Sequence, residues 1–124
     1  MTARLVRSLL NGRALYNGRT LADWVPDVVQ ELVDRFDPLR VILFGSVARG
    51  DDGPDSDIDL VVVLPPTTRS ARSRMMGDLI AAASLGPPVD VFPTDPEEFA
   101  EATQLPGLLR VAAREGKVVY EREP

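Results

Sequence analysis

Three aspartates, a serine and a glycine are the residues of this chain whose types and spacing could do chemistry. Asp57 and Asp59 flank Ile58 at the head of an apolar run, and Gly45-Ser46 stands ten residues upstream. In an extended strand residues i and i+2 share a face, so both carboxylates project together while Ile58 turns into apolar packing. Two carboxylates held side by side raise each other's pKa unless a cation lies between them. Oxygen-only ligands of this kind suit a hard divalent ion such as Mg²⁺. The Gly45-Ser46 turn offers backbone N–H groups and a hydroxyl, which suit phosphate oxygens. Farther on, Asp90 sits between Val89 and Val91; those two face the opposite side, leaving Asp90 where a third metal carboxylate would be. A metal site beside a phosphate grip points to nucleotide chemistry.

What is missing narrows the chemistry further. The chain has no Cys and no His, which removes thiol nucleophiles, Ser-His-Asp triads, disulfides and ordinary zinc sites. Its one lysine is Lys117, and no glycine-rich loop ends in Lys-Ser or Lys-Thr, so a P-loop is excluded. Carboxylate, hydroxyl and guanidinium remain, the groups used in metal-assisted phosphoryl or nucleotidyl transfer.

The elements that must position these residues can be read from periodicity and punctuation. Thr20 to Asp23 resembles a capping box. Leu21, Trp24, Val25, Val28, Val29, Leu32, Val33 and Phe36 then recur at helical spacing, with Pro26 expected in the first turns and Asp37-Pro38 as the stop. Trp24 and Phe36 are read as core. Val41 to Phe44 is a continuous β-favouring run, expected as a central strand, with one helical turn after it over Val47 to Arg49. Gly50 to Ser56 is a loop by composition, in which Asp51, Asp52 and Asp55 are read as solvated charges. A second strand, Asp57 to Leu64, stops at Pro65-Pro66. A helix from Thr67 to about Leu85 follows, with Met75, Met76, Leu79, Ile80 and Ala83 inward, and then a short strand over Val89 to Phe92. Asp95, Pro96 and Glu98 stand in N-cap, N1 and N3 order, opening a helix to about Thr103. A last helix, about Leu105 to Glu115, ends at Gly116, and Lys117 to Tyr120 is a closing or edge strand. This order predicts one α/β layered domain with a mixed sheet flanked by helices.

Composition is that of an ordinary globular domain: 124 residues, 44% hydrophobic and 27% charged. The net charge of −5 argues against a long nucleic-acid polymer as direct partner. The longest apolar run, Leu60 to Leu64, is too short to span a bilayer, and Met1 to Arg4 opens no secretion signal, so a cytoplasmic location is expected. Residues 1–19 differ from the remainder in carrying Arg4, Arg7, Arg13 and Arg19 with no acidic residue. They read as a basic N-terminal arm, with Leu5, Leu9 and Leu10 hinting at a short amphipathic helix or a docking segment for an acidic surface. The domain proper is then 20–124.

Gly45-Ser46, ten residues, then Asp57-Ile58-Asp59 resembles the signature of the DNA polymerase β-like nucleotidyltransferase superfamily. The stretch GSVARGDDGPDSDIDLVVV is similar, more narrowly, to the minimal nucleotidyltransferase (MNT) group, and the closing EGKVVYE segment agrees. The resemblance covers about residues 20–122. It implies the polymerase β-like fold and an enzyme that moves NMP, AMP from ATP, onto a hydroxyl. It implies Asp57, Asp59 and Asp90 as catalytic carboxylates around two Mg²⁺ ions, Gly45 and Ser46 as the triphosphate anchor, and Asp90 as the group that helps deprotonate the acceptor. Two metals about 3.5–4 Å apart stabilise both the attacking and the leaving oxygen of in-line displacement. Arg49 either pairs with Asp51 or Asp52 or, by the resemblance, lies near the cleft.

MNT proteins are commonly antitoxins that work with a HEPN-domain RNase toxin, so the resemblance implies an antitoxin that adenylylates a toxin tyrosine. An acceptor held by a partner protein is also the economical expectation for a chain without a second domain. Two alternatives stand beside it: a small-molecule nucleotidyltransferase of the aminoglycoside-modifying kind, and an antitoxin that acts by binding alone. Tyr16 and Tyr120 are candidate self-modification sites, although packing or simple exposure explains both.

Overall fold

The computed structural model describes residues 5–82 and 86–123. Seven strands and five helices are found among them. A small antiparallel meander comes first: β1 (Arg7–Leu10), β2 (Arg13–Tyr16) and β3 (Arg19–Thr20). The main sheet has four strands in the order β6-β5-β4-β7, where β4 is Arg40–Phe44, β5 Ile58–Val63, β6 Val89–Thr94 and β7 Lys117–Glu121. β4 pairs antiparallel with both β5 and β7, whereas β5 and β6 run parallel, so the sheet is mixed.

The meander replaces the short helix expected near Leu5 to Leu10. Its two corners are Asn-Gly pairs, Asn11-Gly12 with φ of 53° and 77° and Asn17-Gly18 with φ of 53° and 76°. Such successive positive φ values match the twist of a tight hairpin, and Asn and Gly are the residues that tolerate them. Ala14 and Tyr16 of β2 are buried, and the Trp24 indole donates to the Tyr16 carbonyl at 2.8 Å, so the meander is sewn to the domain. Burial of Tyr16 removes it as a surface acceptor. Arg4 lies outside the described residues.

Helix α1 (Leu21–Phe36) begins at Thr20, whose hydroxyl accepts from the Asp23 N–H at 3.1 Å, and ends at Asp37 in the left-handed region. Leu21, Val25, Val29 and Leu32 form its buried face, each worth about 1.5–3 kcal/mol when fully removed from water. That burial offsets Pro26, which falls in the second turn and forfeits a backbone hydrogen bond to Ala22. Trp24 and Phe36 are partly buried against this core, and the Arg19 guanidinium lies 4.3 Å from the Trp24 ring centroid.

The sheet separates two apolar layers. On one side Val41, Leu43, Ile58, Leu60 and Val62 pack with α1; on the other Ile42, Phe44, Val61 and Val63 meet Phe92, Phe99, Leu109 and Ala112. The last three belong to α4 (Pro96–Ala102) and α5 (Leu108–Glu115). Asp95 caps α4 by accepting from the Glu98 N–H at 2.9 Å. That bond, with others from the Thr67 N–H and the Arg72 charge, holds its carboxyl below the usual range. Helix α3 (Arg69–Ala82) bridges β5 to β6 and packs Met75 and Met76 inward. Its expected continuation to Leu85 with Ala83 inside lies outside the described residues, as do the side chains of Leu79 and Ile80. Gly116 ends α5 with an ordinary negative φ; glycine is required there by space, because a Cβ would lie 2.3 Å from the Ala112 carbonyl oxygen and 2.5 Å from Ile42 Cγ2.

Candidate active site

β4 leaves the core at Phe44 and turns at Gly45 into α2 (Gly45–Arg49), a single short helix that includes Ser46. Gly45 has a φ of 78°, a conformation that costs an L side chain about 1–2 kcal/mol. A Cβ at this position would also lie 2.2 Å from Asp59 Oδ2. The glycine thus lets the turn close directly over a carboxylate. Among the described residues no side chain caps the start of α2, which leaves its first N–H groups available to an anion.

β5 begins one residue after Asp57. Ile58 is fully buried and its N–H donates to the Pro88 carbonyl at 2.9 Å, which pins the strand entry next to the start of β6. Register then sets the carboxylates: Asp59 lies opposite Phe44 on β4 and beside Asp90 on β6. Val91 is buried and Val89 packs on the same core, while Asp90 is exposed at the sheet edge. The Gly45-Ser46 turn, Asp57, Asp59 and Asp90 are therefore gathered at one end of the sheet.

Their electrostatics follow from that crowding. Partial burial, then the neighbouring charges of Asp90 and Asp57, push Asp59 up to about 6, against a lowering influence from Arg49. Asp57 is also raised, by burial and by its hydrogen bond and charge interaction with Asp90. Mutually raised carboxylates favour whatever brings positive charge among them.

Among the described residues no three acidic side chains already close into a metal cage. Mg²⁺ keeps several waters and takes one or two carboxylates plus substrate phosphates, so it requires no ready-made protein cage. Asp57, Asp59 and Asp90 supply the hard oxygen donors such an ion prefers, and the raised proton affinity of Asp57 and Asp59 marks the same unmet negative charge.

The acidic loop after α2 is less uniform than its composition suggests. Arg49 pairs with Asp51 at 3.2 Å, and Asp55 is exposed. Asp52, in contrast, is buried, its side chain 4% exposed and 3.3 Å from the Arg13 Nε. Reading the loop as solvated throughout misses this, because the partner lies on the distant β2; the unusual run of arginines before residue 20 is the one hint the sequence holds.

A mixed sheet that presents a Gly-Ser turn and paired strand carboxylates at one end defines a nucleotidyl-transfer scaffold. The Nucleotidyltransferase domain family matches residues 25–119, and the chain belongs to that family. Members of it generally use a nucleoside triphosphate and a divalent metal. The fold is similar to that of a protein from Sulfolobus solfataricus described as a "putative nucleotidyltransferase", with 25% identity over 82% of this chain and 81% of that one and a TM-score of 0.56. No curated protein matches the sequence. No helix among the described residues is long and apolar enough to cross a membrane.

Proposed function

We propose that this chain, with Mg²⁺, transfers AMP from ATP to a hydroxyl of a partner protein, a tyrosine of a HEPN-domain RNase toxin, and so acts as an antitoxin of the MNT group. The observation that carries the transfer reaction is the register setting Asp59 beside Asp90 and under the Gly45 turn. Ser46 and the amides at the start of α2 orient the phosphate tail. Asp57, Asp59 and Asp90 would hold the divalent cation, which would supply neutralisation of charge on the phosphate oxygens. Asp90, the most exposed of the three, stands where it can take the proton of the incoming hydroxyl. The acceptor oxygen bonds to the α-phosphorus, the bond from that phosphorus to the bridging oxygen breaks, and pyrophosphate departs.

The acceptor assignment is supported by the openness of the site and by charge. A groove of about 620 Å³ lined by Leu39, Arg40, Val63, Phe99 and Arg122 lies at the far end of the sheet, so that hollow does not serve the carboxylates. A hydroxyl presented on a protein surface suits an exposed edge carboxylate, and a net charge of −5 suits a basic, RNA-binding partner. The test uses ATP labelled at the α-phosphate, Mg²⁺ and the protein encoded beside this chain. Label on one protein band with wild type, and none with the Asp57→Asn, Asp59→Asn double variant, is expected. A folded, ATP-binding chain that labels no protein would overturn the reading in favour of a small-molecule acceptor or of binding alone.

A further inference from the structure

The loop of residues 50–56 joins the two halves of the site, the Gly45-Ser46 turn before it and Asp57 after it. The N-terminal meander grips this loop. The Arg13 guanidinium donates to the Gly50 carbonyl at 3.0 Å and lies 3.3 Å from Asp52, and Arg7 donates to the Pro54 carbonyl and sits 3.9 Å from Asp55. The most consequential of these partners is Asp52. Its Oδ2 is buried and accepts no hydrogen bond among the described residues, where the Arg13 charge compensates it.

We propose that Arg13 is a positioning residue for the nucleotide site: by clamping Gly50 and the buried Asp52, it sets where Asp57 stands relative to Ser46. The inference rests on the nucleotide reading above. Its physical basis is that a buried carboxylate deprived of its cation must seek water. Ile58 cannot follow, being fully buried and hydrogen-bonded to Pro88. α2 cannot follow either, since Val47 and Ala48 are buried and the Asp51 N–H is bonded to the Ser46 carbonyl at 3.0 Å. Displacement therefore falls on residues 51–57, and Asp57 is the one site carboxylate within reach of it. Asp59 and Asp90 are held by sheet pairing and stay in place. The meander contributes through β2, anchored by Ala14 and Tyr16, rather than through contact with substrate.

Mg·ATP affinity, measured by isothermal titration, tests this as a double-mutant cycle. Arg13→Ala is expected to weaken binding about tenfold in the wild-type background and to add nothing in an Asp57→Asn background. Arg13→Lys, which keeps a cation beside Asp52, is expected to restore most of the loss. Arg40→Ala, which breaks an exposed ion pair with Glu121 at the other end of the sheet, should bind as wild type. If Arg13→Ala fails to fold, Arg13→Gln, which keeps a donor toward Gly50 but leaves the buried Asp52 without its cation, should weaken binding in the same direction. Wild-type affinity in both Arg13→Ala and Arg13→Gln, or losses that add to that of Asp57→Asn, would overturn the proposal. A wild type that binds no Mg·ATP would strike the nucleotide reading itself. The clamp is then decided by amide exchange over 50–57, where rates in Arg13→Ala no faster than wild type overturn it.

Discussion

Asp59→Asn should make the metal-free protein more stable at neutral pH while destroying its chemistry. Folding raises the Asp59 carboxyl from 3.8 to about 6, through burial and the charges of Asp90 and Asp57. A tenfold change in proton affinity corresponds to about 1.4 kcal/mol, so the full penalty on the ionised form is about 3 kcal/mol. Asp59 is only partly buried, and solvent screening brings the usable figure nearer 1–2 kcal/mol, roughly 3–10 °C in melting temperature for a chain of this size. The sign is fixed by the direction in which the carboxyl moves. A raised carboxyl pKa gives stability that is complete below 3.8 and lost as pH rises through about 6, so ionised Asp59 costs stability above that. Calorimetric melts in chelator at about pH 8 should therefore show the Asn variant melting higher than wild type, and the gap should close at about pH 4. Added Mg²⁺ at the higher pH should then raise wild type more than the variant. An Asn variant that melts lower at the higher pH, or a gap that does not change between the two, would refute the crowding of the three carboxylates.

Two glycine substitutions separate the site from the scaffold. Gly45→Ala meets Asp59 Oδ2 and a positive φ together, and should cost about 1–3 kcal/mol in denaturant melts and abolish Mg·ATP binding in titration calorimetry. Gly116→Ala pushes against the Ala112 carbonyl and Ile42 with no site residue involved; it should cost a similar amount in the same melts yet leave Mg·ATP affinity within about twofold once folded.

Much of the fold can be read from local punctuation. The Thr20 and Asp95 caps, the Pro65-Pro66 stop and the alternation of β-favouring runs with helical stripes have causes within a few residues. Strand geometry likewise accounts for Asp59, but Asp57 precedes the first strand residue, Ile58, and its place depends on the loop before it. Strand order is not legible in this way: β7 reaches β4, and β6 lies parallel to β5, for reasons of packing across the whole chain. The meander does leave a local signal, since two Asn-Gly corners outweigh the helix-like spacing of Leu5, Leu9 and Leu10. The described arginines of that segment serve internally, with Arg7 and Arg13 on the 50–56 loop and Arg19 on Asp27 and Trp24. Gly116 reads in the sequence as a helix end chosen for conformational freedom, whereas crowding from Ala112 and Ile42 is what demands it.

The parallel pairing of β5 with β6 has a consequence for how the chain becomes competent. β4, α2 and β5 form a compact run, so the phosphate turn, Asp57 and Asp59 can assemble from neighbouring sequence. Asp90 can join them only after α3 has carried the chain over the sheet and β6 has docked, because parallel strands cannot be joined by a tight turn. Loop-closure entropy makes such a contact slow relative to local ones. Like charge is therefore brought together in a long-range step of sheet formation and not in the local one. A nascent or partly unfolded chain can therefore hold Asp57, Asp59 and the Gly45-Ser46 turn together without Asp90, so under the proposed mechanism competence for transfer waits on the docking of β6.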